Sequence, residues 1–354
     1  MRLKSNSSLV TLVALLTSAC GTQENRNKSD TVDANEVTVS NLASNPEAQS
    51  QIIASQSADA SEGAFQGETA ESTSASLVES GEGDFKNLTR SCEIKSDGSA
   101  VVTISSEMER KRSIDRKKMS AEGVDMGTGK LVRTWKKEGA TLECSKNGKH
   151  AAIDWANIQG VKADVEIERS RSRTMTLTNK KTNVTLSTSS SFSLKAKRSI
   201  SWLEVTKTDS QIIRKKSITS TATRAMSYKN KAGETKSLEV SVATKEGAPL
   251  IVEIVRKIAA PHELVTKTIV SGTTESALKD GSKISSTYDN LKFDFDSKSC
   301  AVYSGGFSTS FLDSAGKETK KVTCTVSEGD MACADAAGVA IEIEAPMCDP
   351  EDAK

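Results

Sequence analysis

Apolar and polar residues alternate along most of the chain from Ser91 onward, with β-branched side chains prominent among the apolar ones. Val102, Ile104, Met108 and Ile114 share one parity, and so do Val165, Ile167, Met175 and Leu177. The pattern recurs in Val184, Leu186, Phe192, Leu194, Ile200 and Trp202, and again in Ile212, Ile218, Ala222, Met226 and Tyr228. Leu238, Val240 and Val242, then Leu250, Val252 and Ile254, continue it. Successive side chains of a strand point to opposite faces, so each set predicts one buried face with Ser, Thr, Lys and Glu opposite. Turn signals fall at Gly127–Gly129, Asn179–Asn183, Lys229–Gly233, Glu246–Pro249, Asp280–Gly281 and Ser304–Gly306. Helical spacing is sparse, with one short helix expected over His150–Ile158 and a weaker one over Asn45–Ala58. The expectation is an all-β fold: a large antiparallel, curved sheet or half-barrel of about a dozen strands, wet on one face.

The region before Ser91 has a different texture. From Gly21 to about Gly83 the chain is Ser, Ala, Glu, Gln, Asn and Thr, with Phe65 as its one aromatic residue. Such a segment buries too little apolar surface to offset ordering entropy, so a disordered tether is expected over residues 20–88. As a flexible coil it would span roughly 45 Å. The organisation expected is a leader over 1–19, this tether, an antiparallel β domain over 89–292, and a C-terminal β subdomain over 293–354.

The leader has a cationic start at Arg2 and Lys4, a short apolar run from Leu9 to Leu16, and the small residues Thr17-Ser18-Ala19. That run is too short to span a bilayer and reads as an export signal. Its end, Leu16-Thr17-Ser18-Ala19-Cys20-Gly21, resembles the lipobox of bacterial lipoproteins. The resemblance implies cleavage before Cys20 and acylation of its thiol and new amino group. Several acyl chains on one residue would make a stable membrane anchor. Gly21 stands where Asp would favour inner-membrane retention, so the resemblance implies the outer membrane, on its periplasmic or surface side. An ordinary signal-peptidase site at Thr17-x-Ala19 would instead leave Cys20 a free thiol.

The remaining cysteines, Cys92, Cys144, Cys300, Cys324, Cys333 and Cys348, are even in number. In an exported chain they predict three disulfides, with 15 possible connectivities. Proximity suggests Cys92–Cys144, Cys300–Cys324 and Cys333–Cys348. There is no C-x-x-C pair and neither histidine lies in a cysteine cluster, which argues against a zinc site or redox catalysis.

Charge is segregated although the whole chain carries only +1. Residues 21–90 hold 4 basic and 12 acidic residues (−8), residues 91–270 hold 34 and 20 (+14), and residues 271–354 hold 8 and 15 (−7). Docking between the basic and acidic sections is one use of those charges. Within the strands, the parity that should be apolar turns cationic midway. Arg110 and Arg112 separate Met108 from Ile114; Arg169, Arg171 and Arg173 separate Ile167 from Met175; Arg214 and Lys216 separate Ile212 from Ile218; Arg224 precedes Met226. Either a turn or bulge resets the parity, or the arginines lie on an open, solvated face, or a continuous concave face carries aliphatic rims and a guanidinium band. The last arrangement would suit an amphipathic anion, because guanidinium pairs bidentately with phosphate or carboxylate.

Catalytic patterns are incomplete. His262-Glu263 lacks the second histidine of H-E-x-x-H, Thr266 standing in its place. Ser276-Ala277-Leu278-Lys279 matches S-x-x-K without a K-T-G, and Lys298 spoils a calcium-loop reading of Asp294 and Asp296. No cofactor or metal is expected, and the export signal argues against nucleic acid as the partner of the basic section. The function expected is therefore that of a lipid-anchored, non-enzymatic structural or binding protein of the cell envelope, held to the membrane through Cys20. The alternative is a periplasmic carrier or binder of an amphipathic anionic lipid or envelope glycan on a basic concave sheet face.

Overall fold

Cross-strand hydrogen bonding runs without a gap from the first strand to the last. The computed structural model describes residues 85–117, 119–229, 235–259, 264–295 and 301–341. The expected leader, Cys20, the Asn45–Ala58 helix, Cys300 and Cys348 all lie outside these residues, as do the centre of the Lys229–Gly233 turn and His262-Glu263.

The strands are β1 (Phe85–Ile94), β2 (Ala100–Arg116), β3 (Met119–Lys137), β4 (Val161–Asn179), β5 (Val184–Lys207), β6 (Gln211–Lys229) and β7 (Thr235–Thr244). They continue as β8 (Leu250–Lys257), β9 (Leu264–Ala277), β10 (Lys283–Asp294), β11 (Ala301–Leu312), β12 (Glu318–Ser327), β13 (Asp330–Asp335) and β14 (Ala340–Ile341). All belong to one antiparallel sheet of 14 strands that follows chain order. The single irregularity is that β7 and β8 occupy one slot end to end, between β6 and β9. The expected boundary at residue 293 falls inside β10, which pairs with β9 and β11 on its two sides. The first strand begins at Phe85, inside the stretch read as tether.

Alternation dictates the burial. Along β4 the inward residues Val161, Ala163, Val165 and Ile167 are buried and the residues between them exposed. One sheet can bury a face only by curling over it or by being covered, and the buried apolar residues of β2 to β13 belong to one contiguous cluster. Trp135 stacks on Trp202 with ring centroids 5.4 Å apart, and Trp155 meets both edge-on at 5.8 and 6.2 Å. Trp155 comes from the 138–160 connection, which folds back across the inward face. The Cys92–Cys144 disulfide ties it to β1, Cys92 N–H donates to Gly148 O (2.8 Å), and Arg214 Nε donates to Trp155 O (3.1 Å). The helix expected over His150–Ile158 is absent. The Asp154 side chain accepts from Ala156 N–H (3.0 Å), closing a local turn that competes with helix, and nine residues are too few to offset that.

Two expected turns are strand instead: Gly127–Gly129 lies inside β3 and Ser304–Gly306 inside β11. The Cys92–Cys144 pairing is present. The pairings Cys300–Cys324 and Cys333–Cys348 are corrected, because Cys324 joins Cys333, its direct partner across β12 and β13. Charged glutamates, lysines and small hydroxyl residues line the outward face of the long strands. That is unlike the apolar outward band of a membrane barrel.

Cys92 and Cys144 close a loop of 52 residues, which chain-entropy arguments value at about 4 kcal/mol. Replacing both by serine should lower unfolding free energy in urea by about that amount. An unchanged midpoint would mean the 138–160 connection is held by packing alone.

Candidate functional site

The long strands β2 to β6 project beyond the apolar cluster, and their projecting halves carry the arginines. Pairing between β2 and β3, β3 and β4, and β4 and β5 over this half contains no register shift. Parity is therefore never reset, and directly opposed residues share a face. The last wholly apolar row is Ile104, Leu131, Ile167, Ala196, Ala222 and Val242. Next come Ser106, Gly129, Arg169, Leu194, Arg224 and Val240, then Met108, Gly127, Arg171, Phe192, Met226 and Leu238. A third row opposes Arg110, Asp125, Arg173 and Ser190, a fourth Arg112, Gly123, Met175 and Thr188, and a fifth returns to Ile114, Ala121, Leu177 and Leu186. Among the described side chains, five arginines (Arg110, Arg169, Arg171, Arg173 and Arg224) thus share a band between apolar rows, with Asp125 as its one carboxylate. Those described side chains carry a net charge of +4, five arginines less one carboxylate.

Asp125 is 1% exposed, and Arg171 grips both its oxygens: Nε donates to Oδ1 (2.8 Å) and Nη2 to Oδ2 (2.7 Å). Hydrogen bonding to Asp125 raises the Arg171 pKa above its ordinary value, outweighing the opposing effect of partial burial. Glycines make room for this pair. A Cβ on Gly127 would stand 3.1 Å from Ser170 O and 3.4 Å from Met108 Cε; one on Gly123 would stand 2.7 Å from Thr174 O and 2.9 Å from Met175 Cγ. Neighbouring side chains lean into the space that a larger residue would take, and β3 needs glycine here for close approach, not for turning. Arg169, Arg171 and Arg173 are each half-buried, while the apolar row beyond them is buried.

Two of the expected anion-binding residues do not join the band. Arg214 and Lys216 lie eight or more residues from Arg224 along β6, roughly 26 Å or more. Both are buried at the apolar end, Lys216 opposite Trp202 and Arg214 with its guanidinium 5.6 Å from the Trp155 ring.

Other charged residues on this face carry no signal in an apolar-run reading. Arg133 shares the parity of Leu131 and Trp135 and is 4% exposed; burial, then the like charges of Arg198 and Arg90, push its pKa down to about 10. Arg90 in turn meets the His150 ring, with Nη1 at 3.3–3.4 Å from its nitrogens. Asp125 was legible in principle as the acidic residue at the inward parity of β3, but reading Gly127–Gly129 as a turn hid the parity. Ser276, from the S-x-x-K match, is buried in β9. Among the described residues no group of three His, Cys, Asp or Glu converges on a metal site. An open groove of about 560 Å³ lies at strand ends lined by Asp97, Ser99, Lys136, Gly160 and Lys162, away from the arginine band. No protein-family model matches the chain, and no curated protein or solved structure does either.

Asp125→Asn should destabilise the protein by about 2–3 kcal/mol, at or below the low end for a broken buried pair because Arg171 keeps access to water. A double-mutant cycle with Arg171→Gln in urea checks this; additivity would show that the pair is not coupled. Arg133 behaves oppositely. Its lowered pKa means that folding disfavours its charge at every pH below about 10, a penalty relieved as pH rises from there toward the ordinary arginine value. Arg133→Met should therefore leave the urea midpoint at pH 7 unchanged or raised, and a large drop would contradict this account.

Proposed function

We propose that this protein is a non-enzymatic, lipid-anchored binding protein of the bacterial cell envelope, whose inward guanidinium band holds an anionic ligand. The observation that carries the reading is the composition of that band, Arg110, Arg169, Arg171, Arg173 and Arg224 with Asp125 on one half-buried sheet face. Several guanidinium groups gathered on one half-buried face create a positive field that favours an approaching anion. Guanidinium groups match phosphate and carboxylate geometry bidentately. Anchoring is supported by the lipobox resemblance around Cys20, with Gly21 favouring the outer membrane, and the disulfides Cys92–Cys144 and Cys324–Cys333 fit an oxidising compartment.

Two measurements test the reading. Metabolic labelling with palmitate should mark the wild-type chain and not Cys20→Ala; labelling of both would remove the anchor at Cys20. Unacylated full-length Cys20→Ala protein should bind pyranine, a trisulfonated dye, in a salt-sensitive manner. Arg169→Gln, Arg173→Gln and Arg224→Gln together should weaken that binding roughly tenfold or more. Equal affinity of the triple variant would contradict the proposed role of the band.

A further inference from the structure

We propose that the acidic chain leading into β1 adds a strand to the sheet, residues 77–82 pairing antiparallel with the edge of β2 at residues 111–116. The inference concerns where the N-terminal segment docks, and it stands whether or not the arginine band holds a ligand.

β2 runs for 17 residues and pairs with β3 along all of them, from Ala100 opposite Trp135 to Arg116 opposite Met119. β1 covers the other side of β2 only as far as Met108, which faces Phe85. Over residues 111–116, therefore, β2 has β3 on one side and, among the described residues, no strand on the other. An edge of that length is a template for another extended chain.

Chain continuity names the occupant. Phe85 opposite Met108 and Lys86 opposite Glu107 set the register at the start of β1. Because β1 is antiparallel to β2, the chain enters β1 from the side of that edge. Continued residue for residue, the register sets Glu82 opposite Lys111, Ser80 opposite Ser113 and Val78 opposite Asp115. The chain has only to run straight on, so no loop is closed and the cost is that of ordering the added residues.

Charge selects the same segment. Residues 29–84 hold eleven acidic residues and no basic one, whereas residues 111–116 hold three basic and one acidic. Lys111 is exposed, and a directly opposed pair of unlike charges such as Glu82 and Lys111 stabilises an antiparallel ladder. The one like-charged pair, Asp84 with Glu109, has Lys111 on its diagonal. A second copy of the chain pairing through this edge would instead bring together two edges of net charge +2 each, three basic residues less one acidic. Gly81 and Gly83 take the parity of Phe85, so at those positions the added strand sets backbone alone beside the arginine rows. Glycine also weakens a strand, so the protection expected of this one is modest.

Pulsed electron resonance on oxidised, full-length Cys20→Ala protein, spin-labelled at Ser80 and Ser187, tests this. Ser113, Glu122, Thr176 and Ser187 form one row across the sheet. Ser80 at the head of that row would lie four strand spacings from Ser187, about 19 Å. A narrow distribution centred near that distance, unchanged by excess unlabelled protein, is expected. A broad distribution would overturn the added strand, and a narrow one lost on mixing with unlabelled protein would overturn pairing within one chain. Hydrogen exchange on protein without labels gives a second readout. Amides of residues 78–82 should exchange roughly tenfold or more slowly than those of residues 66–76, and equal exchange in the two stretches would overturn the proposal.

Discussion

In an antiparallel sheet a side chain's face is inherited from its cross-strand neighbours, and only a bulge or a turn can change it. Between β2 and β5 over the projecting half there is neither. Once Ile104, Leu131, Ile167 and Ala196 commit one face to the apolar cluster, every second residue beyond them must emerge on that same face. Arg169, Arg171 and Arg173 are therefore placed inward by Ile167. The arrangement is tolerable because the strands outrun the apolar cluster. β4 and β5 reach 19 and 24 residues, where strands of 3–10 residues are usual. Their extra length carries the guanidinium groups to a half-buried zone, where Arg171 pairs with Asp125.

Buried cations are also a feature of the apolar end, and there the surroundings differ. Lys267 lies 5.8 Å from the Phe293 ring centroid, Arg133 lies 5.4 Å from that of Trp135, and Arg214 faces Trp155 while donating to its carbonyl. Aromatic faces are attractive to cations that have lost water. The 138–160 connection supplies both Trp155 and that carbonyl, so its attachment through Cys92–Cys144 bears on more than the edge strand. The basic charge of the middle section thus divides into two populations. One is integrated with the tryptophans, and one is displayed on the projecting strands.

The all-β architecture was legible because strand periodicity survives even through the arginines: Val165 to Leu177 keeps one parity over its whole length. What was not legible was whether that parity meant one strand or two, since a reset and a continuous run have the same pattern of letters. Glycine misled in a specific way. Gly127 and Gly129 resemble a turn, yet both lie inside β3, and Gly127 admits Met108 and the backbone of Ser170 at close range. Arg214 and Lys216 look like Arg169 and Arg171 in the sequence and differ only in which row of the sheet they reach, a property of pairing that spacing along one strand does not contain. The Cys324–Cys333 bond had a usable signal. Glu328 and Gly329 both have positive φ, as a tight hairpin turn requires, and a turn centred there makes those two cysteines direct partners.

Continuity of β4 is the premise on which the guanidinium band stands, and a distance can measure it directly. Spin labels at the outward, exposed positions Glu166 and Thr176 flank the three arginines. A single uninterrupted strand separates those sites by about 33 Å, ten residues at the strand rise. Pulsed electron resonance on the oxidised, full-length protein should return a distance distribution centred near that value. A distribution centred below about 15 Å would mean that the chain folds back among the arginines, and they would no longer share the face of Ile167.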